Sequence, residues 1–307
     1  MNEQNDGFKI RLGTRGSQLA LWQSRWVQYE LIQLGFDVEL VLIKTEGDQR
    51  SGPLSQIGGQ GVFTKQLQLA LLDHQIDLAV HSLKDLPTAD HPELEIAAIP
   101  AREDRADAFV SRDFASLDAV PSGGILGTGS VRRAAQILRL RPDLIINDIR
   151  GNVDSRLQKL DRGEYAAIIL AAAGLNRLGF QDSIRQKFST AEILPAVGQG
   201  ALGLEIRSAD SKTRNAVSHL NDAPSYFAAM AERSMLRRLF AGCLSPVGVD
   251  SLQQGDHLSM TGIVLSRDGR YCVKAKSSGK LTDGIAIGRH LADNLIAQGA
   301  DKLLRPD

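Results

Sequence analysis

Lys84 and Asp85 stand side by side in AVHSLKDLP (79–87), a cation and a carboxylate closing a short apolar run that starts at Ile76. A carboxylate at such a place can stabilise positive charge or move a proton, and a lysine beside it can hold an anion. The bland alternative is a polar loop with a surface ion pair, which contributes little. Asp77, at the other end of the run, lies before the strand end and reads as a control position. Arginines recur in comparable places: Arg15 in GTRGS, Arg132 and Arg133 in GTGSVRR, Arg150 and Arg156 in RGNVDSR, and Arg177 in AGLNRLG. Ser130 reads as the N-cap of the helix that carries two of them. One arginine at a helix start means little, because it opposes the helix dipole and is ordinarily solvated. Several together, at strand ends, point to a cleft for a polycarboxylate or polyphosphate. Of the glycine loops, GGQG (58–61) and GTGS (127–130) match neither GxGxxG nor a Walker A loop, so a nucleotide is disfavoured. Cys243 lies in the small-residue loop AGCLSPVG with no histidine nearby. It could be a nucleophile or an attachment point, and the residues alone leave both open. Cys272, in an alternating run, reads as packing.

These groups need a frame of strands and helices. The run at 76–80 has the length and composition of an interior strand of a parallel sheet. FKIRLGT (8–14), DVELVLIKT (37–45) and LEIAAIP (94–100) read as further strands. A helix follows the first, with Leu19, Trp22, Trp26 and Tyr29 at helical spacing for packing on the sheet. Another helix spans about 64–74. AREDRADAF (101–109) is charged and reads as a crossover between domains. Alternation then restarts through GILGTG, SVRRAAQILRL, LIINDI, NVDSRLQKL and AAIILA. After Pro224 come a helix at about 225–239, the Cys243 loop and two strands, HLSMTGIVLSRDG and RYCVKAKSS. Arg267–Arg270 is the turn between those strands, and a final helix spans about 282–298. The reading is an α/β chain of two βα units and a smaller α+β unit, with ligands at the carboxyl ends of parallel strands.

Composition narrows the function classes. The chain has 307 residues, 36 Lys plus Arg against 36 Asp plus Glu, and 43% hydrophobic residues. No global field therefore recruits nucleic acid or an acidic membrane, and any anion site is a local concentration of arginines. The opening MNEQNDGFKI lacks a secretory pattern, and AAIILAAAGL (166–175) is too short to span a bilayer. A cytosolic location is expected. Two cysteines and six scattered histidines give neither a structural disulfide nor a metal site.

Taken together, HSLKDLP (81–87), GTGSVRR (127–133), RGNVDSR (150–156), AAIILAAAGLNRLG (166–179), LPAVGQGALGLE (194–205) and AGCLSP (241–246) resemble the porphobilinogen deaminase (hydroxymethylbilane synthase) family. They occur in that family's order and spacing, from Ile10 to the C-terminus. The resemblance implies a transferase of porphyrin and heme biosynthesis. Such an enzyme joins four porphobilinogen molecules head to tail on a covalent dipyrromethane cofactor, releases ammonia at each step, and frees the linear tetrapyrrole by hydrolysis. It implies three domains, two resembling periplasmic binding proteins and a smaller α+β domain carrying the cysteine loop. The boundaries expected are 1–100 with 201–219, 101–200, and 220–307.

By the same resemblance Cys243 anchors the cofactor through a thioether, which removes the need for an activating histidine, and Asp85 is catalytic. Lys84, Ser130, Arg132 and Arg133 match cofactor-binding positions. Arg15, Ser17, Arg150, Arg156 and Arg177 match substrate-binding ones. Each pyrrole carries an acetate and a propionate, so repeated arginines suit a neutral protein. Loss of ammonia leaves a cationic, azafulvene-like species that a carboxylate would stabilise. The partner implied is porphobilinogen, without nucleic acid or membrane, for a protein acting as a monomer; the rival is a noncatalytic, anion-binding paralogue of two domains. The chain departs from the family pattern at Gln56 and Gln60, commonly lysines, and at Asp154, commonly small. Ala241, Leu244 and Ser245 replace the usual glycine, glutamine and valine. These changes lower local positive charge.

Overall fold

The structure, a computed structural model, describes residues 8–44, 64–89, 91–242 and 244–304. Cys243, Gln56, Gln60, Phe63 and the GGQG loop lie outside the described residues. By internal contacts the chain divides into two compact units, the first ending at Arg102 and resuming over Ala201–Tyr226, the second comprising Glu103–Gly200 and the residues from Phe227 onward.

The first unit opens with β1 (Lys9–Thr14), α1 (Gln18–Gln33), β2 (Asp37–Leu42), α2 (Lys65–Leu72), β3 (Leu78–Ser82) and β4 (Leu94–Ala98). The second continues with β5 (Asp107–Val110), β6 (Ile125–Gly127), α3 (Val131–Leu140), β7 (Ile145–Asn147), α4 (Val153–Asp161), β8 (Ala167–Ala171), α5 (Ala172–Arg177) and β9 (Ile184–Lys187). The chain returns to the first through β10 (Leu202–Arg207) and α6 (Ser211–Ser218). It then runs along α7 (Ala223–Arg238) into β11 (Val247–Gln254), β12 (His257–Leu265), β13 (Cys272–Lys280), α8 (Gly284–Ala297) and α9 (Ala300–Leu304).

Each βα unit is a five-stranded mixed sheet, in the orders β2-β1-β3-β10-β4 and β7-β6-β8-β5-β9. β1 runs parallel to β2 and β3, whereas β10 pairs antiparallel with β3 and β4. β3 is thus interior, as its apolar run requires, but its sheet is mixed. β3 is buried from Leu78 to His81, the continuous pattern of a strand covered on both faces.

α1 corrects one expectation. It buries Val27 and Leu31 together with Gln23 and Ser24, while Trp22 is 38% and Tyr29 59% exposed. Trp26, partly buried, packs against the core of the first sheet.

Asp77 is not a neutral position either. It is 4% exposed, and its carboxylate accepts from Arg11 Nε and Nη2 at 2.9 and 2.8 Å and from Arg207 Nη2 at 2.7 Å. Burial would raise its pKa, but the hydrogen bonds from Arg11 and Arg207 reverse that and hold it below the usual carboxylate range.

The C-terminal α+β part is a three-stranded antiparallel sheet, β11-β12-β13, backed by α8. Its first strand, β11, was not visible in the sequence pattern. This part docks on α3 through Ala135, Leu194, Ile263 and Leu265, with Cys272 against them. The β12–β13 turn approaches so closely that a Cβ on Gly269 (φ +73) would lie 2.3 Å from the Ala135 carbonyl oxygen. Only glycine fits there.

Candidate active site

In the first unit the candidate residues follow the carboxyl ends of β1 and β3. Arg15 comes directly after β1, half-buried. Ser17 caps α1, its Oγ accepting from Ala20 N at 3.4 Å. After β3 the chain makes one 3-10 turn, Leu83–Asp85. Leu83 and Leu86 are 1% and 4% exposed, and Leu83 N donates to Ala201 O at 3.0 Å. Two buried leucines at either end leave Lys84 and Asp85 to turn outward. Asp85 is exposed, and among the described residues its carboxylate has no hydrogen-bond or ion-pair partner. The surface ion pair with Lys84 is therefore not made.

In the second unit the candidates follow β6, β7 and β8. Ser130 caps α3, accepting from Arg133 N at 3.4 Å. Arg132 and Arg133 turn inward onto Asp107, the first residue of β5. Asp107 is 0% exposed and accepts from Arg132 Nη1 at 2.6 Å, Arg133 Nε at 2.8 Å and Gln199 Nε2 at 3.0 Å. Arg132 also donates to Leu194 O at 2.7 Å and Arg133 to Ile169 O at 3.1 Å. Burial would raise the Asp107 pKa, but the two guanidiniums drive it far below the carboxylate range.

Arg150, after β7, donates from Nε to Asp148 at 2.7 Å, and its Nη groups have no partner among the described residues. Arg156 donates from Nε to Gly151 O at 2.8 Å. Arg177, ending α5, donates to Gly200 O at 2.7 Å, and burial lowers its pKa to about 10 against the pull of Glu103, leaving it charged at neutral pH. Asp154 sits in the first turn of α4, with Oδ1 buried and without a hydrogen-bond partner among the described residues.

Asp107 and Gln199 were not singled out in the sequence. The available signal was an aspartate opening the apolar run DAFV at the end of a charged stretch. The serine hydroxyl and the guanidiniums suit a polycarboxylate; a chain of acetate- and propionate-bearing pyrroles fits this donor set. Among the described residues no cluster of His, Cys, Asp and Glu could hold a metal.

Comparison with known proteins decides the lineage. Residues 10–215 match the family model "porphobilinogen deaminase, dipyromethane cofactor binding domain", and residues 226–297 match the family's C-terminal domain. The chain belongs to the porphobilinogen deaminase family. It is 45% identical over 299 residues to the porphobilinogen deaminase of Trichlorobacter lovleyi, covering 96% of both chains. Among solved structures it shows distant likeness to lipoprotein Tp32 from Treponema pallidum (TM-score 0.46, 10% identity, 69% of this chain and 90% of that one). A nutrient-binding protein from Burkholderia cenocepacia bound to methionine is similarly distant (TM-score 0.43, 12% identity, 68% and 90%).

Porphobilinogen deaminases are transferases, the hydroxymethylbilane synthases, and that is the activity of this chain. Its cofactor is dipyrromethane, and the domain described for that cofactor contains every candidate residue except Cys243, which falls in the C-terminal match.

Proposed function

We propose that Asp85 is the catalytic group of this synthase and that Cys243 carries its dipyrromethane through a thioether. The observation that supports the first assignment is an exposed carboxylate, unpartnered among the described residues, held just beyond the end of an interior strand by two buried leucines. When bound, the dipyrromethane supplies the primer on which the chain of pyrroles grows. Asp85 faces the pyrrole nitrogens of porphobilinogen, stabilises the cation left when ammonia departs, and takes up or returns a proton at the amine and the ring carbon. Lys84 and Ser130 hold primer carboxylates. Arg132 and Arg133 complete that set from their clamp on Asp107. Arg15, Ser17, Arg150, Arg156 and Arg177 bind the acetates and propionates of incoming porphobilinogen.

The domain boundaries proposed are 1–100 with 201–219, 101–200 and 220–307. The protein works in the cytosol as a monomer without nucleic acid or membrane. Its zero formal net charge supplies no global field to recruit nucleic acid or an acidic membrane, and no helix among the described residues is long and apolar enough to cross a membrane.

Asp85→Asn tests the assignment. The variant keeps shape but removes the charge, and it should turn over at least about a hundredfold more slowly per primer-loaded molecule. Intact mass should show two linked pyrrole units on a Cys243 peptide in protein from a porphobilinogen-producing host. Near-normal turnover of fully loaded Asp85→Asn would remove Asp85 from the chemistry. Unmodified Cys243, or an adduct on Cys272, would remove Cys243 and favour a noncatalytic anion-binding role.

A further inference from the structure

A buried polar hub lies directly behind the catalytic turn and takes no part in the chemistry above. Glu205, on β10, is 4% exposed, and so is His81, on β3. His81 Nε2 lies 2.9 Å from Glu205 Oε2, and Gln68 Nε2, on α2, donates to Glu205 Oε1 at 2.9 Å. The carboxylate can only accept, so His81 donates from Nε2. Register explains the meeting: Gly203 lies opposite His81 and Glu205 opposite Ala79, which makes His81 and Glu205 diagonal neighbours on one face of the sheet.

Taking a carboxylate out of water is costly, and well-packed apolar residues of similar size often serve stability as well or better. The hub therefore calls for a reason beyond stability, and its place in the chain supplies one. His81 and Ser82 are the last two residues of β3, and the pleat sends them to opposite faces. Ser82 Oγ accepts from Gln23 Nε2, on α1, at 2.9 Å. The strand end is thus pinned on one face to α1 and on the other, through Glu205, to α2. The turn bearing Lys84 and Asp85 leaves from that pinned end.

We propose that His81, held by Glu205 and Gln68, is the positioning residue of the catalytic turn: it fixes the end of β3 and thereby the direction in which Asp85 is presented. The inference rests on the assignment of Asp85 as catalytic. Misplacing a reacting group by about 1 Å can cost about a hundredfold in rate.

The test measures intact mass, melting temperature, kcat and KM on primer-loaded enzyme. His81→Ala should lower kcat per loaded molecule by about ten- to a hundredfold with KM within about threefold of wild type. His81→Gln, which can place an amide donor near the lost Nε2, should restore kcat to within about threefold. Should His81→Ala fail to fold, Glu205→Asp withdraws the acceptor by one methylene at constant charge and should show the same fall in kcat. A purely structural hub would lower the melting temperature and leave kcat per loaded molecule unchanged; that result overturns the proposal. So does a His81→Gln variant as slow as His81→Ala. If loaded Asp85→Asn is itself fast, the catalytic assignment fails. If Asp85→Asn is slow while His81→Ala is fast, only the positioning role fails.

Discussion

Asp77 in the first unit and Asp107 in the second are the same device put to different ends. Each is a buried carboxylate gripped by two arginines, Arg11 with Arg207 in one case and Arg132 with Arg133 in the other. Asp77 precedes β3, and Arg207 ends the antiparallel β10, so this clamp sits at the amino ends of the parallel strands. Asp107 pairs with Ala171, the last residue of β8, so the second clamp sits at the carboxyl ends, where ligands bind in such sheets. At the foot of a sheet the clamp ties strands together. At the head it also holds the two arginines proposed above to bind primer carboxylates. Burial differs accordingly: Arg11 keeps 40% of its side-chain exposure, whereas Arg132 keeps 4%.

The largest effect expected from this contrast is that of Asp107→Ala. It leaves two buried guanidiniums without their counter-ion and should cost about 3–5 kcal/mol in denaturant unfolding. The folded fraction should also load primer poorly by intact mass. Normal loading would make the two clamps equivalent and end the contrast. Asp77→Asn should cost less, about 1–3 kcal/mol, because the amide keeps part of the hydrogen bonding. Its turnover per loaded molecule should match wild type, and a slow but stable Asp77→Asn would mean that the foot of the sheet reaches the chemistry.

Acid sharpens the comparison further. Both carboxylates have folded pKa values below the unfolded value of about 3.9. Their contribution is therefore fully present above the unfolded pKa and is lost as pH falls through and below it. Melting temperature should drop steeply from about pH 4 towards pH 2. Asp107→Asn should flatten that drop more than Asp77→Asn; the reverse order would show that the foot clamp is the more strongly coupled one. The smallest effect belongs to Arg112→Leu. This exposed arginine of the second unit donates to the Asp161 carbonyl and lies outside the clamp. Loading should be unchanged and stability within about 0.5 kcal/mol of wild type. A loading defect there would mean that general positive charge in the second unit, not the clamp, governs primer binding.

Local features were legible in the sequence and non-local ones were not. The apolar run at 76–80 located β3, and Pro87 with the polar residues before it located the turn that bears Lys84 and Asp85. Arg267–Arg270 marked the hairpin whose turn now docks on α3. β5 is hidden because its first residue is a charge within AREDRADAF, a stretch that reads as a crossover between domains until Arg132 and Arg133 are brought to it from 25 and 26 residues away. β11 was hidden by its polar last five residues, DSLQQ, which periodicity cannot separate from a loop. Trp22 and Tyr29 had helical spacing with Trp26, yet the sheet met the face of α1 defined by Val27 and Leu31. Periodicity names a face; only the fold chooses which face is buried.

The placement of β10 has a consequence for the order in which the chain is made. β3 and β4 do not pair with each other; each pairs with β10, which comes after the whole second sheet in sequence. All strands of that second sheet have been synthesised by Lys187, whereas the first sheet lacks its joining strand until Arg207. At ribosomal rates of about 5–20 residues per second, β4 waits about 5–20 s for its neighbour. During that interval β3 and β4 carry open edges, the kind of surface on which nascent chains associate wrongly. The amino-terminal sheet is therefore the last of the two to close, and a nascent chain halted once Gly200 has left the ribosome should protect amides in the second sheet but not along β4.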